Sequence, residues 1–123
     1  MSNELTDTIE AIEAGYEYFL AYAAQGFEAF QEGGHADDVR RHLEAVASAL
    51  VRLHNLTGLV PKGKGLTEAF ISTVEKDAEK AASVVQLVLA QEGISSQLLD
   101  NFNASTHIRT ILTDLFLLDE VLK

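Results

Sequence analysis

No cysteine occurs in this chain of 123 residues. Its absence excludes disulfides, thiolate zinc sites and a cysteine nucleophile. No run approaches the ~20 apolar residues that a helix needs to cross a bilayer, so no membrane association is expected. The opening residues, MSNELTDTIE, hold no base and no apolar run. They lack the pattern of a signal or transit peptide, and the expected location is cytoplasmic. Bases are missing from the whole first third. Residues 1–39 carry nine acids and neither Lys nor Arg, whereas residues 40–123 carry ten acids and nine bases. The two parts therefore contribute −9 and −1 to the net charge of −10. A field of this sign disfavours nucleic acid and anionic membranes and favours a protein partner with a basic surface.

What is present suits a helical core. Apolar residues make up 47% of the chain, ample for one domain over 1–123. A domain of this size buries roughly two-thirds of the surface its unfolded chain exposes. Leu5, Ile9, Ile12, Tyr16, Phe19, Ala23, Phe27 and Phe30 recur at steps of mostly four and three, which predicts an amphipathic helix over 4–31. Gly33-Gly34 would end it. A second helix over 37–59 follows from Val39, Leu43, Val46, Leu50 and Leu53, with Asp37 and Asp38 in its first turn, where negative charge is favoured. Pro61 stops it.

A third helix over 67–92 repeats at Ile71, Val74, Ala78, Ala81, Val85 and Val88. Thr67 is its N-cap, Leu66 and Ile71 form a hydrophobic staple, and Gly93 is its stop. The fourth, over 95–122, starts at Ser95 or Ser96, with Ile94 and Leu99 as its staple. Weak helix formers at 101–106 predict a kink or a short separate helix. Four segments of similar length with short breaks imply an all-α, antiparallel up-down-up-down four-helix bundle.

The last two helices carry more apolar surface than one core stripe needs. Leu87, Leu98, Phe102, Leu112 and Phe116 lie on flanks beside the stripe. A helix apolar over more than one face is normally covered on more than one. Either these side chains pack inside a wide bundle or they form a homodimer interface, and the expectation is the homodimer.

Motifs with chemical meaning are few. Gly58 to Gly65 matches seven of the eight positions of GxxxxGK[ST], but Gly65 stands where a hydroxyl should hold magnesium, and a helix precedes the loop instead of a strand. It reads as a connection between helices. Metal binding in a bundle core needs Glu-x-x-His pairs facing inward. Here that spacing occurs only at Glu32-Gly33-Gly34-His35, on a glycine break, and His42 and His54 fall on opposite flanks of their helix. No metal or other cofactor is expected. Nor do a nucleophile, a base and an orienting group stand at recognisable spacing, so the chain reads as non-enzymatic.

His54-Asn55-Leu56-Thr57-Gly58 resembles the His-x-Leu-Lys-Gly segment of histidine-containing phosphotransfer domains, which are helical bundles of about this length. The resemblance implies that an exposed His54 would accept a phosphoryl group from a receiver domain, with Gly58 giving the partner room. Thr57 stands where the family places Lys, and Pro61 ends the helix early.

One surface pattern remains. Glu10, Glu13, Glu17 and Glu28 share a face of the first helix, interleaved with Ala14, Gly15, Ala21 and Ala24, and no base on that helix relieves them. Tyr18 and Tyr22 stand one turn apart beside this face, off the core stripe. Exposed tyrosines are enriched in interfaces. The expected function is therefore a small acidic binding module of adaptor, inhibitor or immunity type. It docks a basic partner through Glu10, Glu13, Glu17, Tyr18 and Tyr22, with His54 phosphotransfer and a purely structural homodimer as alternatives.

Overall fold

The computed structural model of the chain describes residues 3–28, 35–61 and 65–123. The described residues are all-helical: α1 (Asn3–Ala24), α2 (His35–Leu53), a single 3-10 turn (Leu56–Gly58), α3 (Glu68–Leu89), α4 (Ser96–Ala104) and α5 (Thr106–Leu122). Among them, no helix is long and apolar enough to cross a membrane.

In α1 the stripe of Leu5, Ile9, Ile12 and Phe19 is buried. The helix stops at Ala24, short of the expected 31, because Gly26 takes φ +75°, a conformation only glycine adopts readily. The Phe27 N–H then donates to Ser96 Oγ at 2.6 Å, and the Ser96 N–H donates to the Phe27 carbonyl at 2.8 Å. The Ser96 hydroxyl in turn donates to the Tyr22 carbonyl at 2.9 Å. Phe27 thus leaves the helical stripe and packs on Tyr22, with ring centroids 4.8 Å apart. Phe30 and Gly33-Gly34 lie outside the described residues. Ser96 is buried and its hydroxyl bonds the Phe27 N–H and the Tyr22 carbonyl, so Ser96→Ala should remove both bonds, while the Tyr22 carbonyl keeps the Gln25 N–H at 3.1 Å. The expected loss is about 1–3 kcal/mol, read by urea denaturation, while Asp100→Ala on the exposed side of α4 should stay within about 0.5 kcal/mol.

Gly15, assigned by the sequence pattern to the outer face, is buried against α2. A Cβ there would meet Val46 Cγ2 at 2.3 Å, so glycine is what lets α1 approach α2. The same interface holds a buried hydroxyl: Thr8 Oγ donates to the Glu4 carbonyl at 2.7 Å and accepts from Arg52 Nε at 3.0 Å.

α2 ends at Leu53 and not near 59. The N–H groups of His54 and Asn55 bond back three residues, to the carbonyls of Val51 and Arg52, which tightens the last turn. Leu56, on the 3-10 turn, is fully buried. Thr67 caps α3 as expected, its side chain accepting from the Phe70 N–H at 3.1 Å. At the other end Arg40 reaches from α2 to the carbonyls beyond α3, donating to Leu89 O at 3.1 Å, to Glu92 O at 2.8 Å and also to Gln91 O. A cation at a helix C-terminus is favoured by the dipole as well as by these bonds.

Ser95 caps α4, accepting from the Leu98 N–H. Of the kink or short separate helix expected at 101–106, the structure has the second: Ser105 has ψ 132° and separates the nine-residue α4 from α5. α1 packs on α2 and α4, α2 on α3, and α3 on α5. The apolar stripes meet in one core that runs from Leu5 through Leu50 and Leu99 to Leu118.

Candidate functional site

The acidic face of α1 stands where the sequence places it. Glu10 and Glu17 are exposed and Glu13 is half-buried. Burial holds the Glu13 carboxyl above the usual carboxylate range, and the nearby carboxylates of Asp119, Glu17 and Glu10 push it the same way. Among the described residues, ion pairs join Arg41 to Asp38 and Lys123 to Glu120; Glu10, Glu13 and Glu17 have none. Glu28 is exposed past the end of the helix, not on it.

The two tyrosines do not join this face. Tyr22 is only 4% exposed, and its hydroxyl donates to the Ile94 carbonyl at 2.7 Å. It belongs to the core. Tyr18 is half-buried on the flank turned to α2, stacked on the His42 ring at a centroid distance of 3.7 Å and 16° between planes. Burial lowers the affinity of His42 for a proton, and Arg41 acts in the same direction. The wheel of α1 misplaced both because the helix is covered on two sides, by α2 and by α4.

The side chains expected at a homodimer interface are dispersed. Phe102 and Leu112 are buried inside the molecule, and Leu98 is half-buried against the core. Phe102 packs edge-on against Phe19 at 5.3 Å, and Leu112 shares a small apolar crevice with Tyr16 and Ile111. Their size is needed internally. Leu87, on α3, and Phe116, on α5, remain exposed, at 62% and 59%.

His54 sits just past the end of α2, half-buried, with Nε2 enclosed and lacking a hydrogen-bond partner. That nitrogen offers no open approach to a phosphodonor. Thr57, at the position of the family's lysine, hydrogen-bonds the Glu75 carboxylate through its N–H and its hydroxyl, so an acid stands where the phosphoryl charge would need a base. Lys62, Gly63 and Lys64 of the glycine-rich connection, and Glu32 of the Glu-x-x-His spacing, lie outside the described residues. Among the described residues, no three His, Asp or Glu side chains converge to hold a metal.

What the sequence did not mark is which apolar side chains of α1 and α5 stay exposed beside their acids. Leu20 stands two turns beyond Glu13 on the same flank, and Phe116 one turn before Asp119. Leu20 is 47% exposed. Tyr16, half-buried, lines the apolar crevice it shares with Leu112. Exposed apolar side chains thus accompany Glu10, Glu13 and Glu17 on α1 and Asp119 and Glu120 on α5. Comparison with protein-family models, with curated proteins and with solved structures yields no match for this chain.

Proposed function

We propose that this chain is a small acidic, non-enzymatic protein-binding module of adaptor, inhibitor or immunity type, acting in the cytoplasm and docking a basic partner along α1. In this reading it is a single domain in which α1, α2, α3 and the broken pair α4–α5 run as an antiparallel up-down-up-down bundle. The observation that carries the reading is the carboxylate row Glu10, Glu13 and Glu17, which has no ion pair among the described residues and at whose Glu13 Asp119 adds its charge; in this reading the docking seam runs from the row toward Phe116 on α5. Like charges gathered without bases disfavour the isolated fold slightly. They raise the local concentration of an oppositely charged partner. The exposed Leu20 and Phe116 between the acids supply apolar anchors, where the initial pattern had placed Tyr18 and Tyr22. An apolar strip with charged borders suits an amphipathic helix whose polar face is basic.

The test uses a synthetic helical peptide with leucines on one face and lysines on the other, against a peptide of the same composition in scrambled order. The patterned peptide should bind at least about tenfold tighter, roughly 1.4 kcal/mol, and Phe116→Ser should remove most of that preference. Equal binding of the two peptides would reduce the surface to a nonspecific polyanion. Light scattering decides a separate point. A stable dimer that shields Phe116 would mean that a second copy, and not a basic partner, occupies the seam.

A further inference from the structure

One face of α5 carries two opposite charges that do not meet. Thr106, Arg109, Thr110, Thr113 and Asp114 line a surface depression of about 290 Å³, at the small end of the range for ligand sites. At about 100° per residue, Arg109 and Asp114 fall on opposite edges of this face, about 140° apart, with the three threonines between them. They stand five residues apart, outside the spacings of three and four at which helical side chains meet. Asp114 is only 8% exposed, and its Oδ2 has no hydrogen-bond partner. Arg109 is exposed, and among the described residues neither side chain has an ion pair.

We infer that this depression binds a small α-amino acid, with its ammonium on Asp114 and its carboxylate on Arg109. A covered carboxyl is normally hydrogen-bonded or paired with a cation, and the chain supplies Asp114 with no cation. A purely cationic ligand would meet the charge of Arg109, and a purely anionic one that of Asp114. A ligand bearing both signs satisfies the two edges at once. Along the axis the two residues are about 7.5 Å apart, a gap that a short zwitterion fills with a hydrogen bond of about 2.9 Å at each end. Burial, and after it the Asp77 side chain, push the Asp114 carboxyl up to about 7, and an adjacent ammonium offsets both causes.

The helix itself sets the same orientation. Ser105 gives α5 no side-chain cap, and Thr106 and Arg109 stand in its first turn, where the dipole favours an anion. Asp114 lies farther along, away from that positive end. The Arg109 guanidinium can grip a carboxylate with two parallel bonds. Between the charges, the half-buried Thr110 hydroxyl can donate to the carboxylate or accept from the ammonium. The Thr113 hydroxyl already donates to the Arg109 carbonyl at 3.0 Å, which leaves it free to accept from the ammonium. None of these residues belongs to the acidic row of α1, so this site and the docking surface can be tested separately.

Titration of the full chain with L-alanine, followed by amide NMR, tests the site. The backbone amides from Arg109 to Asp114 should shift and saturate, with a dissociation constant of about a millimolar or tighter. Acetate keeps only the carboxylate and methylammonium only the ammonium, and each should bind at least about tenfold more weakly than L-alanine. Arg109→Gln and Asp114→Asn should each weaken L-alanine by about tenfold or more, whereas Glu10→Gln on α1 should leave its binding unchanged. Should Asp114→Asn fail to fold, Arg109→Gln and the two single-charge probes decide. Absence of saturable shifts at about 10 mM L-alanine, ten times a millimolar constant, overturns the inference. So does acetate or methylammonium binding as tightly as L-alanine, which would reduce the depression to a site for one charge.

Discussion

Phe19→Ala is expected to lower the unfolding free energy by about 3–5 kcal/mol. The ring is 1% exposed and stands where α1 meets α4, with Phe102 edge-on to it at 5.3 Å and 87° and Tyr18 edge-on at 6.1 Å. Truncation removes buried area and opens a cavity that the helices can only partly close. It also removes two aromatic pairs, each worth about 0.5–1.5 kcal/mol beyond area alone. The backbone raises the cost of any relaxation, because the Phe19 carbonyl accepts a bond at 3.1 Å from the Asn103 amide. If α4 slid inward to fill the void, it would strain that bond and the Ser96 links at the start of the same helix. Domains of this kind are typically stable by about 5–15 kcal/mol, so the variant should unfold at much lower urea, with an unchanged slope. Phe19→Leu should cost clearly less, since it keeps most of the volume. A loss below about 1 kcal/mol for the alanine variant would mean that the α1–α4 contact is looser than the ring geometry implies.

The same contact shows how far the chain could be read in one dimension. Helical periodicity located α1, α2 and α3, and local side-chain chemistry located the starts of α3 and α4: Thr67 and Ser95 cap as their types suggest. The end of α1 was hidden. Phe27 continues the apolar rhythm, yet its backbone is held by Ser96, far along the chain, and no local pattern reports such a bond. The site divides in the same way. Its acidity is a property of α1 alone and was legible. Its apolar part was not, because only the packed fold shows that Leu20 and Phe116 stay exposed while Phe102 and Leu112 are buried. Tyr22 was misread for the matching reason: a wheel with one core direction cannot show that Ile94 lies across a second buried side.

Replacing Glu10, Glu13 and Glu17 together by Gln is expected to slow association with the lysine-patterned peptide by roughly tenfold or more at low ionic strength. All three acids sit on one face of α1, and the nearby Asp119 adds to the field felt at Glu13. The row therefore acts on an approaching cation before any contact forms, and charge of this kind changes encounter rates more than residence times. Its reach is about a Debye length, ~10 Å at 0.1 M salt, so the difference from the wild type should shrink as salt is raised. Stability should shift by no more than about 0.5 kcal/mol per site. Glu13→Gln has the best chance of a gain, because burial and like charges already disfavour its ionised form. Phe116→Ser should act on the other rate, leaving association nearly unchanged and hastening release, because an apolar anchor works only after contact. Stopped-flow association at two ionic strengths separates the two effects. If the glutamine variant associates at the wild-type rate at low salt, the acids are a solvated face that serves only to keep the protein dissolved.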